Sequence, residues 1–209
     1  MGLFGTKGTD EALREQAERL RLAEEEAAGL KTQLEDAREL ARHLDGERDL
    51  LLAAAERLQP GMSPLALAET LLELCFKPLG LACFFLALAD WEADRLTFVL
   101  YHEGGRARVH PSRRLSERAG LSERVLESAR PIYIRTLEEG LAAGSLLTAA
   151  EQATGLIPHS WYGLPLGWGE HPMGLLSFQS FQRDAFDADR RRLMDALGRM
   201  LALCLAQSR

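Results

Sequence analysis

An apolar heptad runs from Leu13 to Leu58 and leads straight into a segment, starting near Gly61, that is long enough to bury a core of its own. The a positions are Leu13, Leu20, Ala27, Leu34, Ala41, Arg48 and Ala55; the d positions are Gln16, Ala23, Leu30, Ala37, Leu44, Leu51 and Leu58. Only Gln16 and Arg48 break the seam. Such a sustained repeat is the pattern of a coiled coil. In a parallel, in-register pair, Arg19 at g faces Glu24 of the second copy at e, Glu26 faces Lys31 in the same way, and no like charges oppose each other. The expected assembly is a parallel homodimer of tethered domains. The helix would extend roughly 70 Å at about 1.5 Å per residue. Its seam is thin, because alanines bury less area than leucines and Gly29 and Gly46 each cost about 1 kcal/mol against Ala. A marginal seam suits a coil that shifts between two packings, but inert Ala-rich coils share the pattern, so both readings stay open.

Around Leu50 to Ala55 the helix turns apolar on every side, which calls for more than one partner helix there. The 209 residues fit a disordered, glycine-rich lead (1–9), a coiled-coil helix (10–59) and one globular domain (62–209). A second folded domain does not fit. The formal charge of −6 is lopsided: residues 1–58 hold 14 acidic and 9 basic side chains, the remainder 17 and 16. An acidic helix beside a nearly neutral domain argues against nucleic acid as a partner. No apolar run approaches the roughly 20 residues needed to cross a bilayer, and no signal-peptide core opens the chain, so a cytoplasmic protein without membrane contact is expected. Met1, Gly2 and Thr6 match a myristoylation pattern too short to carry weight. Cys75, Cys83 and Cys204 lie in apolar surroundings and read as reduced core thiols.

Gln59, Pro60 and Gly61 end the first helix, and Ser63–Pro64 reads as N-cap and N1 of a second. Leu81 to Ala89 is apolar at both parities and predicts a strand covered on both faces, with Arg95 to His102 returning as its hairpin partner. After a basic segment, the patterning predicts a helix over Leu121–Ala129 with Ser122 near its start, and a strand over Pro131–Ile134. A mobile cover over Leu137–Pro158 follows, with Thr148 and Glu151 as a capping box. A second hairpin joins Ser160–Gly167 to Met173–Phe181 across Trp168 to His171, and an amphipathic helix runs from Asp187. This order predicts an α+β fold: an antiparallel sheet with helices packed on it, preceded by the long coiled-coil helix.

Four pieces in order, GLSERVLESARPIYI (Gly120–Ile134), SWYGLPL (Ser160–Leu166), MGLLSFQS (Met173–Ser180) and Phe186 leading the final helix, resemble the GAF domain family over about Pro64 to Gln207. The resemblance implies a six-stranded antiparallel sheet, terminal helices on one face and a variable cover over a small-molecule pocket on the other. It also implies dimers built through the terminal helices. One departure stands out. Relatives carry an acidic residue four after the Phe, whereas here Asp189 lies three after Phe186 and Arg190 takes the expected place. The asparagine and lysine of the cyclic-nucleotide-binding signature are also missing.

Along the strand from Gly174, Leu175, Ser177, Gln179 and Phe181 share one parity, so two polar groups leave a mostly apolar face together. A buried hydroxyl or amide without a partner costs about 1–3 kcal/mol, so Ser177 and Gln179 must meet the cover, a water or a ligand. In phytochrome-like relatives the matching positions lean into the chromophore pocket. Trp161, sharing its face with Gly163, is placed to stack on a ring or to fill the core; Tyr101 is a similar candidate. Among the guanidinium groups after the first hairpin, Arg113 or Arg114 is the candidate anion clamp, with Glu103, Glu117 and Glu123 close enough to pair instead.

Enzymatic motifs are missing: there is no P-loop, G-x-S-x-G, H-E-x-x-H or zinc spacing, so no catalytic or metal-ligating residue is assigned. One GAF branch reduces free methionine sulfoxide with cysteines in the cover, where this chain has none, and bilin attachment lacks its Cys between Glu103 and Pro158. The expected function is a dimeric sensory module. Its pocket would take a small molecule of unknown identity, and its coil would relay occupancy to an unidentified partner protein. A ligand-free dimeric scaffold is the alternative and a thiol-based methionine sulfoxide reductase a remote one.

Overall fold

The computed structural model describes residues 6–117, 120–167 and 169–207, with backbone alone for 6–12, 149 and 150. Two compact units emerge, 1–48 and 49–209. The first is part of a single helix, α1 (Thr6–Arg57), which starts inside the stretch expected as an irregular lead. Residues 1–5 of that lead lie outside the described residues. Extending a nucleated helix by a turn costs little, which is why Thr6 to Thr9 join it. In the single chain the seam leucines Leu13, Leu20, Leu30, Leu34 and Leu44 are all 49–61% exposed. Arg19, expected to reach across a dimer, here binds Glu15 one turn earlier at 2.7 Å, an exposed pair worth a few tenths of a kcal/mol.

In the second unit, Leu50 and Ala54 near the end of α1 and Leu58 just past it are buried in the core, while Leu52 and Ala55 stay exposed. One stripe of the all-round apolar segment is therefore covered by its own domain. Helix α2 (Pro64–Cys75) is capped as its sequence predicts, with Ser63 Oγ accepting from Ala66 N at 3.2 Å. The strands are β1 (Cys83–Asp90), β2 (Arg95–Glu103), β3 (Arg106–Ala107), β4 (Arg113–Arg114), β5 (Ile132–Ile134), β6 (Ser160–Leu166) and β7 (Gly174–Ser180). They form one antiparallel, seven-stranded sheet in the order β3-β2-β1-β7-β6-β5, with β4 paired to β2 off that path. The resemblance implied six strands and the patterning five; the two that the patterning missed, β3 and β4, are two-residue strands inside the basic segment, too short to leave a period.

The strand parities divide the sheet cleanly. Phe84, Leu86, Leu164, Leu166, Leu176 and Phe178 face a core shared with α2, the end of α1 and α6 (Ala188–Ala206), where Phe84 and Phe178 meet edge-on at 5.6 Å. Phe85, Ala87, Leu96 and Leu175 face the other side, with Val125 and Leu126 of α3 (Leu121–Ser128). Each fully buried Leu or Phe contributes about 1.5–3 kcal/mol. Phe181, expected on the cover side, lies past the strand end and is half exposed. Gly174 is required where β7 crosses β1, because a Cβ there would sit 2.1 Å from the Ala87 carbonyl oxygen.

A bulge re-aims β2. Pairing runs Phe85↔Tyr101 and Leu86↔Leu100, then Ala87↔Phe98, so Val99 is the extra residue. Without that insertion Phe98 and Tyr101 would point to opposite faces; with it both join Phe85 and Ala87 on the cover side. The cover holds α4 (Leu137–Ala142) and α5 (Ala149–Thr154), the latter with the expected capping box between Thr148 and Glu151. Gly120 is the N-cap of α3, and Ser122 stands in its first turn, near the start as the patterning predicts. The Trp168 part of the second hairpin turn lies outside the described residues. Among the described residues no helix is long and apolar enough to cross a membrane.

Candidate functional site

A cavity of about 90 Å³ lies between the cover and the sheet. Its floor comes from four adjacent strands: Phe98 and Tyr101 on β2, Phe85 on β1, Gln179 on β7 and Trp161 on β6. Tyr101 stacks on Phe85 with centroids 5.4 Å apart and planes within 8°, and the His110 ring lies over both Phe98 (4.0 Å) and Tyr101 (4.8 Å). An outer space of about 400 Å³, sharing Tyr101, His110, Arg113, Leu146 and Thr148 with the inner cavity, lies between residues 101–113 and 146–148.

Arg113 is the one strong cation of the inner wall. Its Nε donates to Glu123 Oε1 at 2.7 Å, and the other Glu123 oxygen accepts from Gly120 N at 3.2 Å. Glu123 is 2% exposed, so this pairing is what allows a carboxylate to sit there. The guanidinium also lies 5.2 Å from the Phe98 centroid. Among the described residues its Nη groups bind none, which leaves a two-pronged donor at the cavity wall. Arg114 points elsewhere, pairing with Asp94 at 3.3 Å and Glu117 at 3.5 Å on the exposed side. Neighbouring residues of a strand face opposite ways, so only one of the two could line the cavity.

The opposite wall is acidic. Glu151 is buried and accepts from Thr148 N at 2.5 Å, and Thr148 Oγ1 donates to Glu103 at 3.4 Å. Burial first, and then repulsion from Glu103, push the Glu151 carboxyl above the ordinary carboxylate range, against the hydrogen bonds from Thr148. Burial likewise raises the Tyr101 phenol, helped by Cys83, Glu151 and Glu103.

Of the residues anticipated from sequence, Tyr101, Arg113, Trp161 and Gln179 line this one cavity. Gly163 and Ser177 are cross-strand partners on the same face, next to Trp161 and Gln179. Ser177 is fully buried and its Oγ has no hydrogen-bond partner among the described residues. Glu123 was legible as a pairing partner for the basic segment, and Glu151 and Ser122 only as helix-start residues, both of which line the cavity. Phe98 and His110 carried no separate signal, since the first enters through the bulge and the second from an irregular segment.

Cys75, Cys83 and Cys204 are buried and form no disulfide among the described residues, and burial pushes each thiol upward, away from the reactive thiolate. Among the described residues no group of three or more His, Cys, Asp or Glu side chains could hold a metal ion.

A family model described as the GAF domain matches residues 61–206. Among solved structures, the chain is similar to the GAF domain of a Coxiella burnetii phosphoenolpyruvate-protein phosphotransferase, with 15% identity, a TM-score of 0.64, and coverage of 78% of this chain and 94% of that one. The corresponding Acinetobacter domain aligns at 17% identity and TM-score 0.62, over 77% and 92%. A free methionine-R-sulfoxide reductase from Neisseria meningitidis, solved with its substrate, aligns at 14% identity and TM-score 0.60, over 78% and 89%. No curated protein matches the chain.

Proposed function

Because the chain belongs to the GAF domain family, whose members generally serve as sensory or regulatory modules, we propose that it is a dimeric sensor that binds a small molecule in the cavity beneath its cover and passes occupancy to a partner protein through its long helix. The observation that carries this reading is Arg113. Its guanidinium is held at Nε by buried Glu123, backed by Phe98, and lines a cavity floored by Gln179 and aromatic rings with its Nη groups bound to none of the described residues. Residues of α2 or α6 would not need such a donor.

Two exposed features support the dimer. The seam leucines of α1 are half uncovered, and so are Leu52 of α1 and Leu203 of α6. A second copy of the chain would cover both through paired α1 helices and terminal-helix contacts. A ligand biases that arrangement only through unequal affinity for its two packings. The three buried thiols count against a cysteine-based reductase, although a structural relative carries out that reaction.

The small volume of the cavity and its aromatic filling favour, as a second reading, a ligand-free scaffold in which the domain is a dimerisation block. Mass spectrometry of small molecules released from the purified native dimer separates the two. A bound compound present in the wild type and absent from Arg113→Gln supports sensing; a protein that carries nothing and gains no stability from nucleotides, amino acids, oxoacids or tetrapyrroles supports the scaffold.

A further inference from the structure

Three observations converge beside the cavity. The Trp161 indole lies against the backbone of Gly163: a Cβ built there would meet Cη2 at 2.0 Å, Cζ2 at 2.5 Å and Cζ3 at 2.6 Å. Only glycine lets the ring fold along its own strand in this way. Across the ladder from Gly163 stands Ser177, 0% exposed and with its Oγ unpartnered. Buried hydroxyls nearly always find a partner, so this one marks a place where a polar atom of something else belongs. Finally, the indole has no polar anchor. Trp91 donates from Nε1 to the Pro172 carbonyl at 2.8 Å, whereas Trp161 donates to none of the described residues.

The adjoining cavity of about 90 Å³ is smaller than the space a six-membered ring fills once enclosed; an engineered cavity that takes benzene measures about 150 Å³. The indole occupies the volume that would make up the difference. Removing it would open a slab over the Gly163 backbone, with the Ser177 hydroxyl beside it, next to the cavity that Trp161 and Arg113 both line. That shape and polarity select a planar ring carrying a carboxylate.

Resting on the small-molecule reading of this cavity, we infer that the Trp161 indole is a displaceable plug, and that the slab over Gly163 and Ser177 is the inner subsite for an aromatic carboxylate whose acid group binds Arg113. The ring takes the place of the indole, a polar ring atom meets Ser177 Oγ, and the displaced side chain moves toward the cover. Binding is weakened in the resting protein by the fraction of molecules in which the plug is seated.

The test uses the full chain and indole-3-acetate, with acetate as the ringless control and cyclohexylacetate as the non-planar one. Calorimetry should detect binding of indole-3-acetate alone. Trp161→Ala should bind it about tenfold or more tightly, since nothing must then be displaced, and Ser177→Ala about tenfold more weakly. If the alanine variant does not fold, Trp161→Leu opens the slab while keeping an apolar cover. In protein labelled with 5-fluorotryptophan, the Trp161 resonance, assigned by Trp161→Phe, should move toward its solvent-exposed position on binding while the Trp91 resonance stays.

Weaker binding to Trp161→Ala would make the indole a stacking wall and overturn the plug. An unmoved Trp161 resonance in the bound protein, or no binding to wild type and to the opened variants alike, would overturn it too. If another compound class stabilises the wild type and not Arg113→Gln, the sensing reading stands although the plug has fallen.

Discussion

Arg113 and Glu123 form a pair joined at 2.7 Å in which the acid is almost fully buried and the base, with its Nη groups bound to none of the described residues, lines a cavity. Glu123 thus sets the direction of the one cation that the candidate site uses. Removing Arg113 strands a carboxylate beside a single backbone N–H, whereas removing both charges leaves a neutral amide beside an apolar side chain. Arg113→Met should therefore cost about 3 kcal/mol in urea unfolding, and much of that should return in the double variant with Glu123→Gln. A double-variant loss equal to the sum of the Arg113→Met and Glu123→Gln losses would mean that the pair is not coupled.

Glu151 gives a pH signature of defined sign. Its carboxyl is raised above the ordinary range by burial and by Glu103, so the folded chain binds this proton more readily than the unfolded chain. The associated stability is fully present below about pH 4.3, the unfolded value, and is lost as pH rises through the raised value. Glu151→Gln keeps an acceptor for Thr148 N and removes the titration. The stability difference between variant and wild type should grow from about pH 4 upward to a plateau; a pH-independent difference would contradict the assignment.

The cysteines should be silent in the native state. All three are buried, with thiols that burial holds protonated, so a thiol-reactive disulfide reagent should modify them only at the rate of local or global opening. A thiol that reacts at once in the folded chain would reopen a redox chemistry.

Along α1, Ala27 and Ala41 occupy seam positions and are exposed in the single chain. If two copies pair there, Ala27→Leu and Ala41→Leu each bury new apolar surface, about 2 kcal/mol per position, and should tighten the dimer in sedimentation equilibrium. They should also blunt the response to any ligand. A chain that sediments as a single copy of 23.2 kDa, with or without these substitutions, would remove the coiled coil from the account.

Most of the fold was legible because its elements announce themselves through period and caps. Ser63 before Pro64, Asp187 before the last helix and the alternation of Leu175, Ser177 and Gln179 all report local physics that the tertiary structure then uses. The candidate site was legible where strand parity held, as for Trp161 and Gln179, and obscure where it failed. Val99 shifts the parity of β2 by one, so Phe98 and Tyr101 share a face that simple alternation denies them. The two-residue strands, and the place of Glu151 in the cavity wall, depend on contacts remote in sequence, and such contacts leave no local period to read.

The central claim is that the cavity walled by Arg113 is a ligand site, and thermal unfolding of wild type beside Arg113→Gln, against one shared set of nucleotides, amino acids, oxoacids, aromatic acids and tetrapyrroles, tests it most directly. At least one compound class should stabilise the wild type by about 2.7 kcal/mol at a hundred times its dissociation constant and leave the variant unmoved. A flat response in both proteins, or the same stabilisation in each, would contradict it.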